Sequence, residues 1–140
     1  MATTVHVDIV SAEAALYAGE ATMVHAPAEY GEVGIAPRHT PLVARLAPGD
    51  IRVRNADGEQ EIFYVSGGIL EVQPHAVTVL SDTAVRAHDI DEAAAREAKR
   101  RAEEQVAQQQ QAQDYARARA ELAEAAARLQ TLQKLRRVKG

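Results

Sequence analysis

The sequence predicts an α+β chain: an antiparallel β-sandwich or flattened barrel over residues 1–86, then an antiparallel two-helix hairpin over residues 87–140. Three observations carry this. Short β-branched and aromatic runs, punctuated by Gly, Pro and Asp, recur through the first half with no helical stretch between them, as in an all-β unit. From Asp89 to Lys139 neither Gly nor Pro occurs, and Ala, Glu, Gln, Arg and Leu dominate, all good helix formers. Within that second half, apolar residues return at helical spacing along two seams that can face one another.

In the β half, residues 4–10 alternate, with Val5, Val7 and Ile9 on one face and His6 and Asp8 on the other, which predicts a strand with one buried side. After a turn at Ser11-Ala12-Glu13, two short strands are expected at Leu16 to Ala18 and Ala21 to Ala26, the second stopped by Pro27. Gly31, Gly34, Pro37 and Pro41 make the next stretch rich in loops, with short strands at Val33 to Ile35 and Leu42 to Leu46. Pro48-Gly49 is a turn, and Asp57-Gly58 marks a hairpin between Ile51 to Arg54 and Glu61 to Val65. The remaining runs, Ile69 to Val72 and Val77 to Leu80, follow Gly67-Gly68 and Gln73-Pro74-His75, so residues 62–80 read as a β-meander.

In the helical half, Asp89-Ile90-Asp91-Glu92 has the form of a capping box, an acidic cap with Glu three residues on. The first helix repeats Ile90, Ala94, Ala98, Ala102 and Val106; the second carries the seam Tyr115, Ala118, Leu122, Ala125, Leu129 and Leu132. Gln108 to Gln111 lie between them, with Asp114 as the second cap, and a second arm of about 21 residues spans roughly 30 Å. The mating face is mostly alanine. A buried methyl contributes about 0.8 kcal/mol against about 1.5–3 kcal/mol for a whole leucine, and nothing in the Gln linker forbids helix. Such a hairpin can unpack and straighten at modest cost.

Composition excludes several functional classes. The chain has no Cys, hence no disulfide framework and no thiolate chemistry. No segment approaches the run of about 18 apolar residues that spans a bilayer, and no charged-then-apolar leader opens the sequence; the expectation is a soluble chain that meets membrane only indirectly. Residues 1–86 carry eleven Asp/Glu and five Arg, whereas residues 87–140 carry nine acids and eleven Lys/Arg. After Glu124 only basic residues remain, Arg128, Lys134, Arg136, Arg137 and Lys139, which favours an acidic partner. Nucleic acid fits poorly, because the chain as a whole is mildly acidic and lacks a basic, aromatic-bearing sheet face.

No catalytic set emerges. His6, His25, His39, His75 and His88 are scattered, with no pair at metal-ligand spacing. Ser66-Gly67-Gly68 lacks the surroundings of a nucleophile elbow, and Gly31-x-x-Gly34 lacks the Lys-Ser/Thr ending of a phosphate loop. Neither catalytic residues nor cofactors nor metals are expected.

Ser11-Ala-Glu13, Gly31-Glu-Val-Gly-Ile35, Pro37-x-His39-x-Pro41-Leu42, Ser66 to Pro74 and Val77 to Ala84, in this order, resemble the epsilon subunit family of bacterial F-type ATP synthases. The resemblance covers nearly the whole chain. It implies a ten-stranded sandwich bound to the gamma subunit and resting on the c-ring, at the cytoplasmic face of the bacterial plasma (inner) membrane. Family contacts fall on Ser11 and His39 for gamma, and on Glu29, Gly31 and Glu32 with His39 for the c-ring loops. The resemblance also implies that the helical pair is a brake on ATP hydrolysis. Extended along gamma into the alpha and beta subunits, it would present Arg117, Arg119, Arg128, Lys134, Arg136 and Arg137 to an acidic segment of beta. One departure stands out. Some members bind ATP through Ile/Leu-Asp-x-x-Arg-Ala, whereas here Ile90, Asp91 and then Ala94 at the arginine position leave the motif incomplete, so weak or no ATP binding is expected. The rival expectation, of another class, is a free-standing ligand-binding sandwich whose Tyr115 to Leu132 seam serves as a dimerisation arm.

Overall fold

The computed structural model describes residues 3–108 and 112–139. Nine strands come first: β1 Val5–Ser11, β2 Ala15–Ala28, β3 Gly31–Ile35, β4 Leu42–Leu46, β5 Gly49–Asn55, β6 Gln60–Val65, β7 Gly68–Gln73, β8 Ala76–Ser81 and β9 Ala84–Arg86. A 3-10 turn at Ala87–Asp89 leads to α1, Glu92–Gln108, and α2, Ala112–Lys139. One layer runs β1-β8-β7-β4 and the other contains β3, β2, β5, β6 and β9; β2 closes the two by pairing with both β1 and β4. Val5, Val7, Ile9, Val24, Ile35, Ile51, Val53, Phe63, Val65, Leu70, Val72, Val77 and Val79 fill the space between the layers. The fold is therefore the expected sandwich, with nine strands among the described residues in place of ten.

Several local expectations are corrected. The two short strands either side of Gly19 are one strand of 14 residues, β2, and Pro27 lies inside it. Pro27 is tolerated because β5 pairs with β2 only as far as His25; on that side Pro27 has a carbonyl to offer, which accepts from Ala47 N at 2.8 Å, and no ladder donor is required of it. The β-meander over 62–80 does not form. β6 pairs with β5 and β9, β7 pairs with β4 and β8, and Gly67-Gly68 carries the chain from one layer to the other at φ values of 115° and 132°. That corner is tied by Ser81, whose hydroxyl lies 2.5 Å from Gly67 O and 2.9 Å from Thr83 O, and by Ser66 Oγ, which accepts from Thr83 N at 3.2 Å. β1 and β8 pair in parallel, an exception within an otherwise antiparallel module. The Asp57-Gly58 hairpin forms as expected, with Asn55 Oδ1 accepting from Asp57 N and Glu59 N at 3.0 Å each.

The helices differ in phase from expectation. α1 is capped by Asp91, whose Oδ1 accepts from Ala94 N at 3.1 Å, while Asp89 belongs to the 3-10 turn. The buried alanines of α1 are Ala95 and Ala102; Ala94 and Ala98 face solvent. α2 keeps its seam from Ala118 onward, burying Ala118, Ala125 and Leu132, but Tyr115 at its start is exposed. It runs 28 residues, about 42 Å, and Asp114 falls inside its first turn. Part of the Gln linker, residues 109–111, lies outside the described residues.

α2 buries two faces. Opposite the α1 seam, Ala127 and Thr131 are buried beside Arg128 and Lys134, over β5 and β6. Thr131 is fully buried because its hydroxyl donates to Ala127 O at 2.9 Å. β6 is covered on both sides in consequence: Phe63 and Val65 face the core, while Ile62 and Tyr64 are also buried on the outward side. An unbroken apolar run such as Ile62 to Val65 is what a strand covered on both faces requires.

Two measurements check this packing. At Gly68 an added Cβ would drive into the backbone of Leu80 and Ser81 at a φ that L-residues rarely adopt, so Gly68→Ala is expected to cost about 2–4 kcal/mol by chemical denaturation. Burial pushes the Tyr64 and Tyr17 phenols above their ordinary value of 10.0, for Tyr64 against the opposing pull of Arg128. Because the folded state disfavours tyrosinate, this contribution to stability is complete below pH 10.0 and is lost as pH rises through the raised folded values. Tyrosinate absorbance should accordingly lag for these two residues, with alkaline unfolding beginning only above that point.

Candidate partner-binding surfaces

The residues expected to touch partners sort to two ends of the β1-β8-β7-β4 layer. Ser11 pairs with Ser81 at one end, the same end of the layer as the Gly68–Leu46 and Leu46–Ala28 pairings and the β2–β3 hairpin, with β8, β7 and β4 in between. Its hydroxyl accepts from Glu13 N and Ala14 N at 3.2 Å each, which fixes the turn that follows β1. Ser11, Gly68, Ile69, Leu80 and Asp82 line a shallow groove of about 350 Å³. His39 sits at the far end, beyond β3, where Arg38 N donates to Pro74 O at 2.9 Å and His39 Nδ1 lies 2.7 Å from Thr40 O. Along the strand direction alone, Ser11 and His39 are thus separated by about the length of β4, roughly 16 Å for five residues.

Between them lies an apolar strip that the sequence reading passed over. Val10, Leu80 and Ile69 stand in one cross-strand row and Val43 flanks it. Val43 is 72% exposed, Ile69 48% and Leu80 47%, on the outer face of a sheet whose inner face is the core. A signal was present: Leu42-Val43, Ile69-Leu70 and Val79-Leu80 each place an apolar residue at the outward phase of an alternating strand.

The β2–β3 hairpin brings Glu29, Tyr30, Gly31 and Glu32 together, and Ala28 pairs with Gly31 to close it. Gly31 has φ 130°, Tyr30 projects into solvent, and Glu29 N donates to Arg45 O at 2.9 Å. Glu32 is paired with Arg52 of β5. His39 does not join this cluster, because β3 leads the chain away from the hairpin before the loop that carries it.

Of the basic residues of α2, Arg128 and Lys134 turn toward the sandwich, and Arg136 and Arg119 find partners at the surface. The Arg128 guanidinium lies 5.0 Å from the centre of the Tyr64 ring, Lys134 Nζ donates to Asp50 Oδ1 at 2.6 Å, and Arg136 pairs with Glu92 at the start of α1. Arg119 donates to Tyr115 Oη at 3.3 Å. Arg117 and Arg137 are exposed. Near the incomplete ATP motif, a hollow of about 200 Å³ is lined by Val85, Ile90, Asp91, Ala94, Ala95 and Arg128. Asp91 is committed there to capping α1, and Ala94 offers only a methyl. Among the described residues no cluster of His, Asp or Glu has the makings of a metal site, and no helix is long and apolar enough to cross a membrane.

Comparison with known proteins agrees over both halves. The family model for the ATP synthase delta/epsilon chain β-sandwich domain matches residues 4–87, and that for the long α-helix domain of the same chain matches residues 88–133. The chain is 62% identical over 135 residues to the ATP synthase epsilon chain of Alkalilimnicola ehrlichii, covering 96% of each. It is 60% identical over 140 residues to that of Nitrosococcus oceani, covering 100% of each. In fold it resembles a chain of the Euglena gracilis mitochondrial ATP synthase OSCP/F1/c-ring cryo-EM structure, with a TM-score of 0.83 at 20% identity, covering 93% of this chain and 82% of the other. A chain of the Tetrahymena thermophila central stalk/c-ring structure gives 0.63 at 12% identity, covering 91% and 96%. The chain belongs to the ATP synthase delta/epsilon chain family.

Proposed function

We propose that the chain is the epsilon-type, non-catalytic subunit of the central stalk in a bacterial F-type ATP synthase, at the cytoplasmic face of the inner membrane. The observation that carries this is identity of about 60% along the full chain to bacterial epsilon chains. Residues 1–86 form the coupling module and residues 87–140 the regulatory arm. The exposed strip from Ser11 through Leu80, Ile69 and Val43 toward His39 is the docking surface for gamma: its ends are the residues the family resemblance nominates, and an outward apolar strip gains by burial. The β2–β3 hairpin, with Glu29, Tyr30, Gly31 and Glu32, meets the c-ring loops.

The arm acts as a brake by changing partners. Arg128, Lys134 and Arg136 have counterparts on their own chain when the arm is docked, and these same cations face the alpha and beta subunits when it is extended. The exposed Arg136–Glu92 pair contributes only about 0–1 kcal/mol, and the α1–α2 seam is mostly alanine, so exchange is energetically accessible. The dimer-arm reading is not favoured, since Ala118, Ala125 and Leu132 of that seam are already buried within one chain.

Three outcomes are expected. Tagged chain should co-purify from membranes with gamma and the c-ring. A chain ending at Arg86 should still support proton-coupled ATP synthesis in the assembled complex while ATP hydrolysis rises severalfold; an unchanged hydrolysis rate would remove the brake from the proposal. Calorimetric titration of the full chain with ATP should reveal no binding tighter than about 1 mM, because Ala94 supplies no cation at the position where some members carry arginine.

A further inference from the structure

A line of alternating charges crosses the molecule from the β2–β3 hairpin to α2. Glu32 on β3 pairs with the Arg52 guanidinium on β5. Arg52 Nε lies 3.4 Å from Asp50 Oδ2, and Asp50 Oδ1 accepts from Lys134 Nζ at 2.6 Å. Burial deepens toward the middle: the Glu32 side chain is half exposed, whereas that of Asp50 is 10% exposed. Asp50 Oδ2 and Arg52 Nε are buried with no hydrogen-bond partner, so each leans on the charge of the other.

The sign of the coupling follows from counting charges. Glu32 and Asp50 oppose the single positive charge of Arg52, so Lys134 docks against a net negative site. If Glu32 is neutralised, Arg52 is left to Asp50 alone and the site offers Lys134 no net charge. If Lys134 leaves, Asp50 takes a larger share of Arg52 and Glu32 is less tightly held. Close, partly buried charges act on one another with little screening by salt.

We propose that Glu32, Arg52, Asp50 and Lys134 form an electrostatic relay that couples occupancy of the β2–β3 hairpin to release of α2. A Lys or Arg side chain of a partner that pairs with Glu32 loosens the arm, and by reciprocity a released arm readies Glu32 for such a cation. The identity of that partner as the c-ring rests on the proposed function; the relay itself is a property of the isolated chain.

Hydrogen exchange of the α2 amides over residues 125–134 in the full chain tests it. Glu32→Gln and Lys134→Gln are each expected to speed exchange by about three- to tenfold, Glu32→Lys more, and the double variant no more than Lys134→Gln alone. Lys134→Arg keeps the charge and should restore most of the protection. Amides of β1 report that the sandwich remains folded in every variant. The relay is overturned if Glu32→Gln and Glu32→Lys leave α2 exchange at the wild-type rate, if Lys134→Gln does so, or if the Glu32→Gln effect persists in full on the Lys134→Gln background. A complex that couples normally with Glu32→Gln would remove the c-ring contact and leave these exchange results untouched.

Discussion

The double covering of β6 is the constraint on which the rest of the structure depends. Its inward residues, Phe63 and Val65, complete the core, and its outward residues, Ile62 and Tyr64, form the seat of α2. Asp50 of β5 is the cross-strand partner of Tyr64, so the cation–π contact from Arg128 and the ion pair from Lys134 fall side by side on one patch. Two neighbouring strand positions thereby set both the azimuth and the axial register of a helix 28 residues long. With that patch filled, α1 has only the remaining face of α2 to pack on, and it does so through Ala95 and Ala102 against Ala118 and Ala125. Alanine at the seam lets the backbones approach closely, but it removes little apolar surface per residue, so the arm is positioned well and bound lightly.

What was legible in the sequence follows from how local each signal is. Alternation in β1, the Asn55 to Gln60 hairpin and the seam from Ala118 to Leu132 are written in nearby residues, and the structure has them, whereas Tyr115 at the start of the expected seam is exposed. The change from β module to helical pair was equally plain, since it is a change in composition. The misses arose where a distant partner decided the outcome. Pro27 stops a strand only if a neighbour needs its N–H, and the end of β5 pairing at His25 removes that need. Gly67-Gly68 permits a tight hairpin as readily as a change of layer, and the strands waiting on either side select the second. In α1, Ala94 and Ala95 are chemically the same, so the buried phase was set by α2 and not by anything the first helix says about itself. β9 has three residues, too few to show any period.

The candidate surfaces divide in the same way. The β2–β3 hairpin is contiguous in sequence and its residues stayed together, whereas His39 was carried to the other end of the layer by the direction of β3. The apolar strip of Val43, Ile69 and Leu80 comes from three strands and exists only once they pair. The contacts that Arg128, Lys134 and Arg136 make within their own chain were invisible for a related reason. A basic stretch without acids reads as a surface waiting for someone else's carboxylates, and only the fold shows that Tyr64, Asp50 and Glu92 occupy those cations first.

That prior occupation changes what the basic residues of the arm are able to do. A cation already paired within its own chain binds an outside acid by exchange, so its net gain is the difference between two similar pairings, which is small. Small differences suit a switch, because neither state becomes a trap and a modest change in either environment moves the balance. The three inner contacts are also unequal in kind. Arg136–Glu92 is exposed and joins helix to helix, so it survives as long as the hairpin does. Arg128 on Tyr64 and Lys134 on Asp50 join helix to sandwich, and these two are lost together whenever α2 lifts away. Docking is therefore governed by a few contacts centred on β5 and β6, and the electrostatic setting of Asp50 carries more weight in the balance than the number of basic residues on the arm.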